Sequence, residues 1–85
     1  MYDDEILEQE AEAFLNVVSK NVSKIRESQK KTKLEVSREL GFMFADHYSK
    51  MELRSKNKHF NIKHIFKLSK IFNVPISQFF EEKDE

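Results

Sequence analysis

The feature that most constrains this chain is a shortage of turn-forming residues, because its 85 residues include one glycine, Gly41, and one proline, Pro75. A strand-rich domain of this length needs several tight turns, and such turns depend largely on Gly and Pro. Residues that favour helix, such as Lys, Glu, Leu, Gln and Arg, make up much of the sequence. The sequence therefore predicts an all-α fold, organised as one small domain with a thin hydrophobic core.

Several classes of protein are excluded by what the sequence lacks. It contains no cysteine, which rules out a disulfide scaffold and any cysteine-based zinc site. The longest apolar run, residues 42–45, has four residues, against roughly 20 needed to cross a membrane. The first residues are acidic, where a secretory signal would be basic and then apolar. We expect no membrane association and a cytoplasmic location.

The net charge of zero hides a strong asymmetry along the chain. Residues 1–15 carry a charge of −6, residues 16–80 carry +9 and residues 81–85 carry −3. A basic body between two acidic ends is typical of a protein that binds a polyanion such as nucleic acid. A solvated helical surface with its charges in blocks is the alternative that composition leaves open.

Apolar residues at spacings of three and four predict one amphipathic helix from about residue 5 to residue 29. This stripe consists of Leu7, Ala11, Phe14, Val18, Val22 and Ile25. The helix would be nearly 40 Å long, and its first half is acidic. We therefore divide the chain into an acidic N-terminal extension (1–20), a helical domain (21–82) and an acidic tail (83–85). The extension either binds a partner or serves as a solubilising arm.

Capping signals divide the remaining chain into four shorter helices. Thr32 and Glu35 form a predicted capping box, and Gly41 follows the helix that this box begins. A third helix is expected from about residue 44 to residue 53, followed by an exposed basic loop. Asn61 is a plausible N-cap for a fourth helix, and Pro75 suits the first turn of a short fifth helix that ends near residue 82.

No catalytic or metal-binding constellation is apparent. None of the three histidines pairs with another at the i, i+4 spacing of a helical metal site. No serine nucleophile motif or glycine-rich phosphate loop is present either. We expect neither an enzyme nor a cofactor or a bound metal.

Residues 22–80 resemble the lambda-repressor-like helix-turn-helix family of bacterial and phage regulators. The similar segments are Val22, Ile25 and Arg26 in the first helix, Thr32 to Gly41 in the second, Tyr48 to Glu52 in the third, and residues 62–68 and 74–80 in the fourth and fifth. The resemblance implies a compact five-helix domain whose third helix enters the major groove of double-stranded DNA. It also implies binding as a homodimer to an inverted repeat.

Three departures from the family pattern affect this interpretation. Lys33 replaces a glutamine that clamps phosphate, and a lysine retains only the charge. The segment before Tyr48 is one residue longer than usual and contains Phe42, Phe44 and Asp46. We expect Phe42 to pack in the core. Phe44 could fill the lengthened turn or contact a thymine methyl group, and Asp46 could accept from a cytosine amino group.

The resemblance also assigns candidate site residues. Base-reading residues would be His47, Ser49 and Lys50, and phosphate-binding residues would be Lys33, Arg54, Lys56 and Lys58. Each could instead be an ordinary solvated side chain. Arg26 and Glu52 match family positions that are structural.

Two apolar surfaces are available for a dimer or partner contact. They are the N-terminal stripe, with Leu7 and Phe14, and the C-terminal group Ile76, Phe79 and Phe80. The leading functional prediction is a DNA-binding transcriptional regulator, of the repressor type. The alternative is a protein-interaction module or antitoxin, whose acidic N-terminal helix binds a protein partner.

Overall fold

The computed structural model describes residues 3–82, and these residues contain only helices and connecting turns. The α-helices are α1 (Asp4–Ser28), α2 (Lys33–Glu39), α3 (Ala45–Leu53) and α4 (Ile62–Phe72), and two 3-10 helices cover Ser55–Asn57 and Ile76–Phe80. The all-α prediction is confirmed. The expectation of five α-helices is corrected, because the last element is a 3-10 helix. A segment of five residues is short enough for this tighter geometry.

Helix α1 begins where the sequence places its cap and extends beyond the rest of the fold. The Asp3 carboxylate accepts hydrogen bonds from the backbone N–H groups of Glu5 and Ile6. Its 25 residues span about 38 Å at 1.5 Å per residue, close to the 42 Å longest dimension of the described chain. Residues 3–11 are all exposed, whereas burial begins at Val18. The second half of α1 therefore carries the core and the first half projects from it.

The core lies between the second half of α1, the other three α-helices and the C-terminal 3-10 helix. Its buried apolar members are Val18, Val22, Val36, Leu40, Tyr48, Met51, Phe60, Ile65, Leu68, Phe72 and Phe79. Two α1 side chains hold the C-terminal half of the chain in place. Asn21 Nδ2 donates to the carbonyls of Phe79 and Glu81 at 2.9 and 2.8 Å, and Gln29 Nε2 donates to the carbonyl of Phe72 at 2.7 Å.

The turn between α2 and α3 follows the local signals in the sequence. The Thr32–Glu35 capping box is formed in both directions. Gly41 has φ +101°, a backbone conformation that suits glycine alone. Ser37 Oγ in α2 donates to the carbonyl of Phe44 at 2.7 Å, which fixes the start of α3 relative to α2. These contacts build a helix-turn-helix unit.

Helix α4 also begins and ends as predicted. Asn61 and His64 form a reciprocal capping box, and Asn73 closes the helix in the left-handed conformation, with φ 55°. The loop before it is ordered by an element that was not predicted, the 3-10 helix Ser55–Asn57. Across residues 3–82, no helix combines the length and apolar content needed to cross a membrane.

Candidate nucleic-acid interface

The helix-turn-helix brings together two candidate residues that are 16 positions apart. Lys33 is the first residue of α2 and Ser49 lies in the middle of α3, and Lys33 Nζ donates to Ser49 Oγ at 3.3 Å. Both side chains are half-exposed. The contact places an ammonium group and a hydroxyl on one surface formed by the two helices.

The other two candidate base-reading residues lie on α3 and are accessible to solvent. His47 is exposed, and its ring meets the Phe42 ring edge-on at a centroid distance of 5.0 Å. Lys50 pairs with Asp46 one turn earlier, with Nζ and Oδ2 3.1 Å apart. Because both side chains of this pair are accessible, the pair contributes little stability. Lys50 can therefore exchange Asp46 for another acceptor at low cost.

The two phenylalanines before α3 occupy different environments. Phe42 packs against the core, as expected from the sequence. Phe44 is the N-cap residue of α3 and is 72% exposed. The lengthened turn therefore does not bury Phe44, and its ring lies at the N-terminal end of the helix assigned to base reading.

Arg54 has a role that sequence reasoning missed. Its side chain is only 11% exposed and pairs with Glu12 of α1 at 2.6 Å. It also donates to Asn16 Oδ1 and to the carbonyls of Asn57 and Lys58. Because its donors are occupied within the protein, we remove it from the phosphate-binding set. Arg54 instead ties α1 to the loop that carries Lys56 and Lys58, both of which are exposed.

Arg26 and Glu52, both expected to be structural, pair with each other inside the protein. The side chains are 10% and 2% exposed, and Arg26 Nε lies 2.9 Å from Glu52 Oε2. Burial alone would raise the pKa of Glu52, but the hydrogen bonds and charge of Arg26 bring it below the usual value. The pair holds α3 against α1 and so fixes the orientation of α3.

The two predicted apolar surfaces form one continuous surface. Phe14 of α1 stacks on Phe80 of the C-terminal 3-10 helix, with ring centroids 5.6 Å apart. Leu7, Phe14, Ile76 and Phe80 are all exposed. Phe79 requires a correction, because it is 0% exposed and belongs to the core.

An apolar groove adjoins this surface, and three of its lining residues, Phe14, Ile76 and Phe80, belong to the predicted apolar surfaces. Its volume is about 290 Å³, and its lining comes from α1, the start of α4 and the C-terminal 3-10 helix, without α2 or α3. Ile62, which lies on its rim, is 87% exposed. The spacing of apolar residues in the sequence does not show which of them remain exposed after folding.

Within residues 3–82, no three His, Asp or Glu side chains are grouped closely enough to hold a metal ion. Comparison of the chain with models of protein families, with curated proteins and with solved structures found no match.

Proposed function

We propose that this protein is a sequence-specific double-stranded DNA-binding transcriptional regulator, of the repressor type, that acts as a dimer on an inverted repeat. The observation that carries the proposal is the contact between Lys33 and Ser49 across the helix-turn-helix. It places the Lys33 ammonium group, which can bind phosphate, beside the Ser49 hydroxyl, which can contact a base edge, on one accessible surface. A helix-turn-helix presents its second helix to the major groove, and here that helix is α3.

The candidate residues divide by the type of contact that they can make. His47, Ser49 and Lys50 on α3 carry donors and acceptors suited to base edges in the major groove. Lys33, Lys56 and Lys58 provide charges that bind phosphate and set the position of α3. Asp46 stands beside Lys50, so DNA binding would replace one partner of Lys50 with another. Asp46 also repels phosphate, which favours a site where it accepts from a cytosine amino group.

The testing experiment is selection of binding sites from a random duplex DNA pool at ~150 mM salt, followed by titration of the best site over a salt series. We expect an inverted repeat with half-sites ~10 base pairs apart, and an affinity that falls with salt as several counterions are released. Lys50→Glu should weaken binding at least about tenfold. Lys20→Glu on the exposed side of α1 is the matched control and should change it little.

A salt-dependent affinity without enrichment of any sequence would refute sequence-specific regulation and leave a basic surface. No binding at all would refute DNA binding and favour the second candidate, a protein-interaction module or antitoxin. The exposed apolar residues Ile6 and Leu7 on the acidic half of α1 support this second candidate. In that case Leu7→Asp should abolish capture of the protein partner, whereas Lys50→Glu should not.

A further inference from the structure

The first half of α1 presents an apolar stripe that residues 3–82 leave about half exposed. Leu7 lies two helical turns before Phe14 on the same side of the helix, and both are 47% exposed. Glu8 and Glu10 flank this stripe on either side at the helical spacing of 100° per residue. The segment is thus an acidic amphipathic helix whose apolar side needs a partner.

The groove beside Phe14 is a complementary apolar surface. Phe14, Val18, Phe60, Ile65, Ile76 and Phe80 are among its lining residues. The acidic segment cannot occupy the groove of its own chain, because α1 runs as one unbroken helix through Phe14. A helix that continues past the groove cannot turn back into it. An acidic α1 segment in this groove would therefore come from another molecule.

Ile62 and Ile65 of α4 form one rim of the groove, and the exposed side of α4 is basic, opposite in charge to the acidic segment. Ile62 and Phe66 are exposed one turn apart on α4, and Lys63 and Lys67 are exposed beside them. Lys70 Nζ lies 5.4 Å from the centre of the Phe66 ring. Helix α4 contains no acidic residue. An acidic helix laid along this rim would contact apolar side chains and lysines together.

We propose that the groove binds the acidic half of α1, residues 4–13, from a second copy of this chain. In a twofold dimer each copy donates its helix and receives its partner's helix, so every contact occurs twice. Leu7 of each copy would enter the groove of the other, with the acidic side that carries Glu8 next to the α4 lysines and Glu10 on the opposite side of the stripe. The acidic half of α1 and the groove that it fits belong to the same sequence. A second copy of the chain therefore supplies the partner helix.

This proposal names the surface that forms the dimer in the proposed function, and in that sense it rests on that function. It is tested without DNA, so the two can fail separately. A monomer that still selects a DNA sequence would overturn the dimer and leave sequence-specific DNA binding standing. A dimer that binds no DNA would overturn the proposed function alone.

The test is a charge exchange between the two surfaces, with sedimentation equilibrium used to measure association. One variant carries Glu8→Lys and Glu10→Lys, and a second carries Lys63→Glu and Lys67→Glu. Each variant alone should dimerise at least tenfold more weakly than wild type, because like charges then face each other in both contacts. Mixed in equal amounts, they should form a heterodimer of near wild-type affinity, since both contacts again pair opposite charges.

Two single substitutions serve as controls. Gln9→Lys adds a positive charge to the acidic segment on the side away from the stripe, and Lys20→Glu reverses an exposed charge elsewhere on α1. Both should dimerise as wild type does, and circular dichroism should show unchanged helix content in all variants. Leu7→Asp should abolish dimerisation at any salt concentration.

Three results would overturn the proposal. The first is a wild-type chain that stays monomeric up to millimolar concentration, including one that is monomeric but binds a different protein through the groove. The second is a dimer that is unaffected by either charge variant, which would place its interface elsewhere. The third is a loss of dimer in both variants that mixing does not restore.

Discussion

Arg26 of α1 binds Glu52 of α3 through two parallel hydrogen bonds, from Nε to Oε2 at 2.9 Å and from Nη2 to Oε1 at 3.0 Å. The same guanidinium donates through Nη1 to the carbonyl of Lys31 at 2.9 Å. One side chain therefore connects α1, the turn before α2 and helix α3. In a domain with so thin a core, this connection determines how rigidly α3 is held.

Glu52→Gln should destabilise the protein by about 3–5 kcal/mol, because it leaves the buried Arg26 charge without its counterion. Urea unfolding followed by circular dichroism would measure the loss. The double substitution Arg26→Met with Glu52→Leu is the informative control, since it removes both charges and fills the space. It should recover most of the lost stability, whereas equal loss in the two variants would contradict the argument from an unpaired charge.

The capping box of α4 should make stability depend on pH through His64. The backbone N–H of Asn61 donates to His64 Nδ1 at 3.2 Å, which requires that nitrogen to be unprotonated. Burial lowers the pKa of His64, and the nearby charges of His47, Lys67, Lys63 and His59 lower it further. The unfolded chain therefore takes up a proton at higher pH than the folded chain does. Stability is fully present above about pH 6.5 and falls as the pH drops through the folded pKa.

Urea midpoints measured between pH 8 and pH 5 would check this dependence. His64→Gln keeps a side chain that can complete a capping box but cannot titrate, so it should flatten the curve in this range. His59→Gln, at an exposed position, removes the smallest of these charge contributions and should retain most of the wild-type slope. An unchanged slope in His64→Gln would assign the pH dependence to another group.

Gly41→Ala should destabilise the helix-turn-helix by about 1–2 kcal/mol. Its φ of +101° is unfavourable for any residue with a Cβ atom, although the surrounding space is open. The cost therefore comes from the backbone and not from a steric clash. Asn73→Gly, at the left-handed end of α4, should be nearly neutral. Thermal unfolding of the two variants would show the contrast, and equal midpoints would refute it.

The elements that could be predicted from the sequence are those set by neighbouring residues. Thr32 with Glu35, Gly41 and Asn73 act within one helical turn, so their positions in the chain define α2, the turn and the end of α4. Contacts between distant residues leave no such signal, and Arg54 meets Glu12 across 42 positions. The expected position of Arg54 on the surface of the helix-turn-helix predicted a phosphate contact, but its burial against α1 gives it an internal role.

The two C-terminal phenylalanines show a second limit of sequence reasoning. Phe79 and Phe80 are adjacent and chemically identical, yet Phe79 is buried and Phe80 stacks on Phe14 at the surface. A 3-10 helix turns every three residues, so a pattern based on 3.6 residues per turn cannot assign the inward side of so short an element. The hydrogen bonds from Asn21 to this segment determine which phenylalanine faces inward, and they join residues about 60 positions apart.

Lys58 and Arg54, at the loop after α3, should have different roles, Lys58 in binding phosphate and Arg54 in positioning the loop. Lys58→Ala should lower the slope of log affinity against log salt by about one and leave stability unchanged, because an exposed charge is removed. Arg54→Ala should instead reduce the free energy of unfolding by about 1.5–3 kcal/mol, since its charged hydrogen bond to Glu12 is lost.

Glu12→Gln distinguishes the two possible roles of Arg54, because it removes the acid and retains the arginine. If Arg54 only positions the loop, Glu12→Gln should lower stability, as Arg54→Ala does, and leave the salt slope at its wild-type value. If Arg54 binds phosphate, its release from Glu12 should steepen the slope and strengthen binding. Salt titrations of the two variants on one selected DNA site, paired with urea unfolding, would decide between these roles.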